Sequence, residues 1–334
     1  MFELLLVKVW MVQRFFRRKF RIIKIGSLSI STSKNPDSFY SIESYCSGNL
    51  PFDNYKKMVK PIRRILNIKD VCLNPKTGVA WYQKYLIEES SNWPIDKLLV
   101  WEPRPLFYSS LNCTATSLAD NGFYHFLIED LPRFLEVHRS NPSVLTVIGS
   151  KSRYVLDLLK YLNVTNYISK FSPIKCSKIL LSERNLGGIF DKNDLLALQE
   201  LAKDIQPIRS LAPILILRKN IKKGFYDRGV QYSPLLEKKF RKFGFETVYL
   251  EEHSFLDQIS LIKSTSVLAG FHGAGLANMV WLNQNAKIIE ISETRITSHF
   301  EHIANICELN YHRAVASQLT NLGNSEFERL ILEK

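Results

Sequence analysis

No stretch of the chain stays apolar for the roughly 20 residues that a membrane-spanning helix needs. The most hydrophobic candidate, the opening MFELLLVKVWMVQRFF, is broken at Lys8 and Gln13. It also lacks the basic start and small-residue cleavage site of a secretory signal. Cysteine is sparse: five residues, Cys46, Cys72, Cys113, Cys176 and Cys307, stand singly, with no C-x-x-C pair and no histidine at a ligand spacing. That excludes a zinc ribbon or a redox dithiol, and an odd count in a chain too large to need staples favours a reducing compartment. The dinucleotide fingerprint G-x-G-x-x-G, the phosphate loop G-x-x-x-x-G-K-[ST] and the elbow G-x-S-x-G are all missing, which removes three common enzyme classes. Metalloprotease chemistry is excluded too, since His125 is not followed by Glu and the next histidine, His138, is thirteen residues away.

What the chain does have is positive charge, +13 over 334 residues, with 46% hydrophobic and 23% charged residues. This is the balance of a globular protein, and the length suits two domains of about 150 residues, one large domain being the alternative. Nearly half the charge lies in residues 1–25, where Lys8, Arg14, Arg17, Arg18, Lys19, Arg21 and Lys24 face Glu3 alone. A basic segment rich in Leu, Val, Trp and Phe can lie along an anionic membrane surface; equally, its apolar residues can start a core while the arginines are solvated. The expectation is a cytoplasmic protein, peripheral on the inner face of the plasma membrane. Beyond residue 25 the basic residues are mixed with acids, and no helix-turn-helix, zinc finger or RNP-like run occurs, so nucleic acid is not a partner.

Residues 26–60 read as irregular structure, and 61–118 as strands and turns broken by Pro94, Pro103 and Pro105. From Gly122 the period changes: a helix over FYHFLIEDLPRFLEVHRS, a strand in PSVLTVIGS, a helix in KSRYVLDLLKYLNV, strands in NYISKF and SKILLSE, and a helix in KNDLLALQELAKDI. Pro207 to Pro213 looks like a linker. After it, strands PILILRK, FETVYLE, SVLAGF and AKIIEIS alternate with helices SPLLEKKFRKFG, FLDQISLIKST and GLANMVWLN, and a helical region begins near Ser298. Such alternation predicts α/β architecture with parallel sheets: two Rossmann-like domains, 1–206 and 207–334, the last helix free to cross back onto the first.

The sharpest local signal is LAGFHGAGLANMVWLNQNAKIIEI, residues 268–291. A buried strand ends at His272, and Gly273, Ala274 and Gly275 keep the backbone bare where a helix starts. A helix's first amides and its dipole favour an anion, most simply phosphate, and open α/β sheets bind ligands at the carboxyl ends of their strands. A tight turn with a structural histidine is the plainer explanation. Arg218 follows a second strand directly, and Arg228 lies ten residues later; both can grip phosphate with a planar fork, whereas Arg228 could instead pair with Asp227 or Glu246. In NGFYHFLIEDLPRF, His125 and Glu129 are four apart on a helix and face the same way, so that His125, Glu129 or Asp130 could accept a proton from a hydroxyl; a helix with surface acids is the alternative. Glu290, at the end of a strand, could accept hydrogen bonds from a sugar or ribose hydroxyl, or cap a turn.

With these residues in place, the chain resembles glycosyltransferase family 61, which includes bacterial capsule and lipopolysaccharide enzymes and xylosyl- and N-acetylglucosaminyltransferases of plants and animals. The resemblance rests on GFYHFLIEDLPRF (122–134), RKNIKKGFYDRG (218–229) and HGAGLANMVWL…AKIIEI (272–291). It implies the GT-B arrangement of two Rossmann-like domains facing across a cleft, a nucleotide-sugar donor held by the C-terminal domain, inversion at the anomeric carbon, and no metal or other cofactor. It places Arg218, Arg228 and His272 on the diphosphate, with Gly273, Ala274, Gly275, Leu276, Asn278 and Glu290 on the donor side and His125 with Glu129 on the acceptor side. Asp227 stands where the family often carries a second arginine beside Arg228. The expected activity is transfer of a sugar, UDP-linked by expectation, to a glycan or glycolipid hydroxyl in cell-surface polysaccharide or glycoconjugate synthesis. A pyruvyl- or polyol-phosphate transferase and a non-catalytic glycan-binding scaffold are the competing functions.

Overall fold

The computed structural model describes residues 21–23, 65–82, 85–87, 90, 108–182, 190–208, 212–218, 229–294 and 297–332. The basic segment 1–25 therefore lies outside the described residues except for 21–23, and Arg228 lies outside them as well. Contacts divide the chain into two units, the second made of Gly122–Ile128, Ser152–Asn163 and Phe190–Lys334 and the first of the rest.

The first unit is built on eight described strands: β1 Arg21–Ile23, β2 Ile65–Leu73, β3 Ala80–Tyr82, β4 Tyr85–Ile87, β5 Ser109–Leu118, β6 Leu145–Ile148, β7 Tyr167–Ser169 and β8 Ile174–Ser182. They lie in the order β1-β4-β3-β2-β8-β5-β6-β7. The sheet is mixed: β8, β5, β6 and β7 run parallel, while β2 pairs antiparallel with β8 and β3 with β2. The sheet takes β6, β7 and β8 from the alternating pattern read after residue 122, while β5 precedes that pattern. Its core is Val71, Leu73, Ala115, Val147, Ile174, Cys176 and Ile179, all buried. Helix α1 (Leu131–Ser140) carries Pro132 in its first turn, where a missing N–H costs nothing. A π-helical turn, His125–Asp130, leads into it.

In the second unit five parallel strands alternate with helices. Helices α2 (Arg153–Tyr161) and α3 (Lys192–Ala202) come first. Then follow β9 Ile214–Leu217, α4 Ser233–Lys242, β10 Glu246–Tyr249, α5 Phe255–Lys263, β11 Val267–Phe271, a 3-10 helix at Ala274–Trp281 and β12 Lys287–Ser292. The chain ends with α6 His299–Ile306, β13 Asn310–Val315, α7 Ala316–Asn321 and α8 Asn324–Leu332. All five strands follow the Pro207–Pro213 stretch. All four residues of β9 are buried, as a parallel strand covered on both faces requires. Helix α5 starts at a capping box, in which Ser254 and Asp257 each accept from the other's backbone N–H, and Asp157 of α2 accepts from Phe255 N at 3.0 Å.

Besides the π-helical turn, two described elements after residue 207 differ from the pattern read in the sequence. GLANMVW winds as a 3-10 helix, with Leu276 N donating to Gly273 O and the Asn278 amide donating back to Gly275 O at 3.1 Å, a local bond that competes with α-helical pairing. Asn310–Val315 is an edge strand inside what read as a helical region. The last helix packs within the second unit, where Phe327 and Ile331 join Leu236 and Phe240 in the core. Among the described residues no helix is long and apolar enough to cross a membrane.

Candidate functional site

The strand order β10-β9-β11-β12-β13 places a topological switch between β9 and β11. Chain connections leave β9 and β11 in opposite directions, the arrangement in which open α/β sheets take ligands at the carboxyl ends of their strands. Arg218 is the residue after β9 and His272 the residue after β11. Gly270 pairs with Ile216, so two residues further on His272 and Arg218 share one row on one sheet face.

The glycines here are explained by what approaches them. A Cβ on Gly273 would stand 2.7 Å from Nη2 and 2.9 Å from Cζ of Arg218. The guanidinium therefore lies against the bare backbone where the 3-10 helix starts. A Cβ on Gly275 would meet Ile216 at 3.3 Å, and one on Gly270 would meet Leu276 at 3.2 Å and Ile216 at 3.3 Å. Leu276, buried to 1% exposure, is thus the wedge that seats the helix start on β9 and β11. Ala274 and Gly275 are partly exposed at that start. Asn278 is wholly buried; besides Gly275 O, it accepts from the Trp281 indole at 3.2 Å and reaches Gln258 at 3.4 Å. Its polar atoms hold the turn together from beneath.

Glu290 sits in β12 opposite Gly270, which leaves its side chain room to reach His272. His272 Nδ1 is 2.5 Å from Glu290 Oε1, and the Tyr311 hydroxyl from β13 donates to Oε2. Glu290 is 1% exposed, and a carboxylate so buried is tolerable only when its oxygens are partnered. Both are committed within the protein, so Glu290 orients His272. With Nδ1 turned to the carboxylate, Nε2 is the ring atom left for a ligand. Phe300 from α6 closes one side of the ring, edge to face, at 5.2 Å between centroids.

Arg228 is outside the described residues, but its neighbour Gly229 is described. Gly229 has φ 69°, and a Cβ there would stand 2.4 Å from the Cβ of Ala316 and 3.4 Å from Glu293 N. Glu293 follows β12 and Ala316 follows β13, so Gly229 stands at the same carboxyl edge of the sheet.

The profile of the Glycosyltransferase 61 family matches residues 123–289, half of the chain. The chain belongs to the glycosyltransferase 61 family, and it is a transferase. No curated protein matches it. The matched region begins two residues before the π-helical turn and ends halfway through β12. It stops one residue before Glu290 and leaves Tyr311 outside.

At the start of the matched region, His125 is grouped with the second unit and Glu129 and Asp130 with the first. His125 meets the Tyr124 ring edge to face at 5.5 Å, and Tyr124 in turn meets Phe300 at 5.8 Å. Through these two rings His125 is linked to the aromatic wall beside His272. Asp130 is 5% exposed and lies 3.5 Å from Arg133. Arg133 Nε donates to Ser182 O at 2.8 Å, and the Ser182 hydroxyl donates to Glu136 at 2.6 Å. Sequence alone gave no sign of this clamp, because Ser182 lies 49 residues from Arg133. The acid and arginine of the EDLPR stretch tie α1 to the end of β8.

The carboxyl edge of the first sheet is arranged differently. The turn after β2 folds over it: Asp120 N donates to Lys76 O at 3.1 Å, and a Cβ on Gly149 would stand 2.4 Å from Lys76 Cα and 2.5 Å from Pro75 C. Backbone occupies the ends of β5 and β6. Among the described residues no group of three His, Cys, Asp or Glu side chains comes together in a way that could hold a metal ion.

Proposed function

We propose that this family member is an inverting glycosyltransferase of the GT-B class. It takes a sugar from a nucleotide-sugar donor, UDP-linked by expectation, and passes it to a glycan or glycolipid hydroxyl in cell-surface polysaccharide or glycoconjugate synthesis. The donor side is assigned to residues 207–334 and the acceptor side to residues 1–206. The observation that carries this reading is Arg218 lying against bare Gly273 beside His272, at the switch point of the second sheet. A cation, an oriented imidazole and the first amides of a helix converge there, a set that fits a diphosphate.

In such a transfer the acceptor oxygen attacks the anomeric carbon as that carbon's bond to the diphosphate oxygen breaks. The hydroxyl proton goes to a base and the electron pair leaves on the diphosphate. Arg218, Arg228 and His272, with the amides at Ala274 and Gly275, stabilise the growing negative charge without a metal, because preformed charges and dipoles need no reorganisation as it develops. Positioning of the two substrates supplies much of the remainder. For the base the reading keeps His125, oriented by Glu129, with Glu129 acting directly as the alternative. Asp130 is assigned to structure, since its charge is already answered by Arg133. Glu290 passes from a sugar ligand to the orienter of His272.

The test is incubation with a panel of nucleotide sugars, scoring thermal stabilisation and donor turnover. Stabilisation by one nucleoside diphosphate, with release of that nucleotide on turnover, is expected; a chain indifferent to every donor refutes the reading. Residues 1–25 are assigned to an anionic membrane surface, and co-sedimentation with phosphatidylserine vesicles that is equal with and without those residues refutes that part.

A further inference from the structure

We infer that Tyr311 is a positioning residue for the donor: acting through Glu290, it fixes the His272 ring so that Nε2 meets the diphosphate. This rests on the donor-site reading above. It extends the site to β13, beyond the region that the family profile matches.

The argument is geometric. Arg313 pairs directly with Glu290 across β12 and β13. Tyr311, two residues earlier in β13, therefore lies on the same sheet face as Glu290, diagonally across from it. From there its hydroxyl donates to Oε2 while Oε1 meets His272. A carboxylate held at one oxygen can still swing about its terminal torsion, which is broad and soft. One held at both oxygens, by donors from the end of β11 and from β13, has its plane fixed, and the imidazole bonded to it inherits that orientation. Arg313, opposite Glu290, turns Nε to the Ser292 hydroxyl at 3.2 Å. Burial, and then the bond to Glu290, push the Tyr311 phenol well above its usual range, so it remains a donor throughout the working pH range. Phe300 packs on the imidazole and limits the sideways movement that a loosened ring would make.

A purely structural tyrosine and a positioning tyrosine differ in what they couple to. The test is a double-mutant cycle on the full chain, with Tyr311→Phe, His272→Ala and the double variant. It measures affinity for whichever of UDP, GDP and CDP binds the parent, and for the matching nucleoside. Tyr311→Phe is expected to weaken the nucleoside diphosphate about 3- to 10-fold, the effect of one hydrogen bond, and to leave nucleoside affinity unchanged. In the His272→Ala background the same change should have no further effect. Loss of stability from Tyr311→Phe is common to both backgrounds and cancels in the cycle. Parental diphosphate affinity in Tyr311→Phe, an equal loss in both backgrounds, or an equal loss for the nucleoside overturns the inference and leaves the donor site standing, provided His272→Ala is itself weakened. A parent that binds none of the three overturns the donor-site reading and this inference together.

Discussion

Replacing Gly273 with alanine adds one methyl group and tests the arginine's place in the site. The new Cβ would lie 2.7 Å from Nη2, 2.9 Å from Cζ and 3.3 Å from Nη1 of Arg218, where ordinary contact begins near 3.4 Å. The guanidinium must retreat by somewhat under an ångström, and a misplacement on the order of 1 Å is enough to spoil an oriented contact. The backbone gives no resistance: Gly273 has φ 160° and ψ 173°, an extended conformation open to alanine. The cost therefore falls on binding. Loss of a charge-assisted bond to phosphate is worth about 1.5–3 kcal/mol, or roughly 10- to 150-fold in Kd. Calorimetric titration with UDP, paired with thermal melts, measures both quantities. The expected result is weakened UDP, a melting temperature near the parent's, and no further loss when Gly273→Ala is added to Arg218→Ala. Parental affinity in Gly273→Ala, or a full second loss in the Arg218→Ala background, would refute the reasoning.

Arg228→Ala is expected to weaken the same nucleotide by about 1.5–3 kcal/mol; unchanged affinity removes Arg228 from the diphosphate. His125→Ala should lose turnover by on the order of 10² or more with donor affinity kept. Near-parental turnover there, with Glu129→Gln inactive, moves the base to the glutamate, and two active variants take this turn out of the chemistry. Arg133→Met should destabilise the first unit by about 3–5 kcal/mol, because it leaves Asp130 buried without its cation; denaturant unfolding checks this, and a loss below about 1 kcal/mol contradicts the clamp. Burial pushes the Cys307 thiol up to about 12, whereas an unfolded thiol ionises near pH 8.5. The folded state is thus the one that keeps its proton, and its contribution is whole below that pH and declines as the pH rises above it. Alkaline melts of Cys307→Ala should fall less steeply than the parent's, and parallel curves would contradict the assignment.

The strands of the second unit were legible in the sequence for a physical reason. A strand buried on both faces has to be apolar at successive positions, and ILIL, VLAGF and KIIEIS stand out from their polar surroundings. His272 and Arg218 were legible because each directly follows such a run. β13 was not, because NYHRAV is an edge strand with one residue buried and His312 exposed, so it carries little hydrophobic signal. The role of Glu290 was hidden in register. It lies eighteen residues from His272, and only the pairing of Gly270 with Glu290 reveals that a glycine leaves the space through which the two side chains meet. The Arg133 clamp was hidden in the same way, since its acceptor is a backbone carbonyl at the end of a distant strand. Contacts that depend on how strands are ordered leave no local trace in composition or period.

The most direct test of the central claim is a crystal structure of the full chain with bound UDP. The account predicts diphosphate oxygens within about 3 Å of the Arg218 guanidinium, His272 Nε2 and the amides that open the Ala274–Trp281 helix. A diphosphate bound elsewhere, with Arg218 and His272 making no contact to it, would contradict the account.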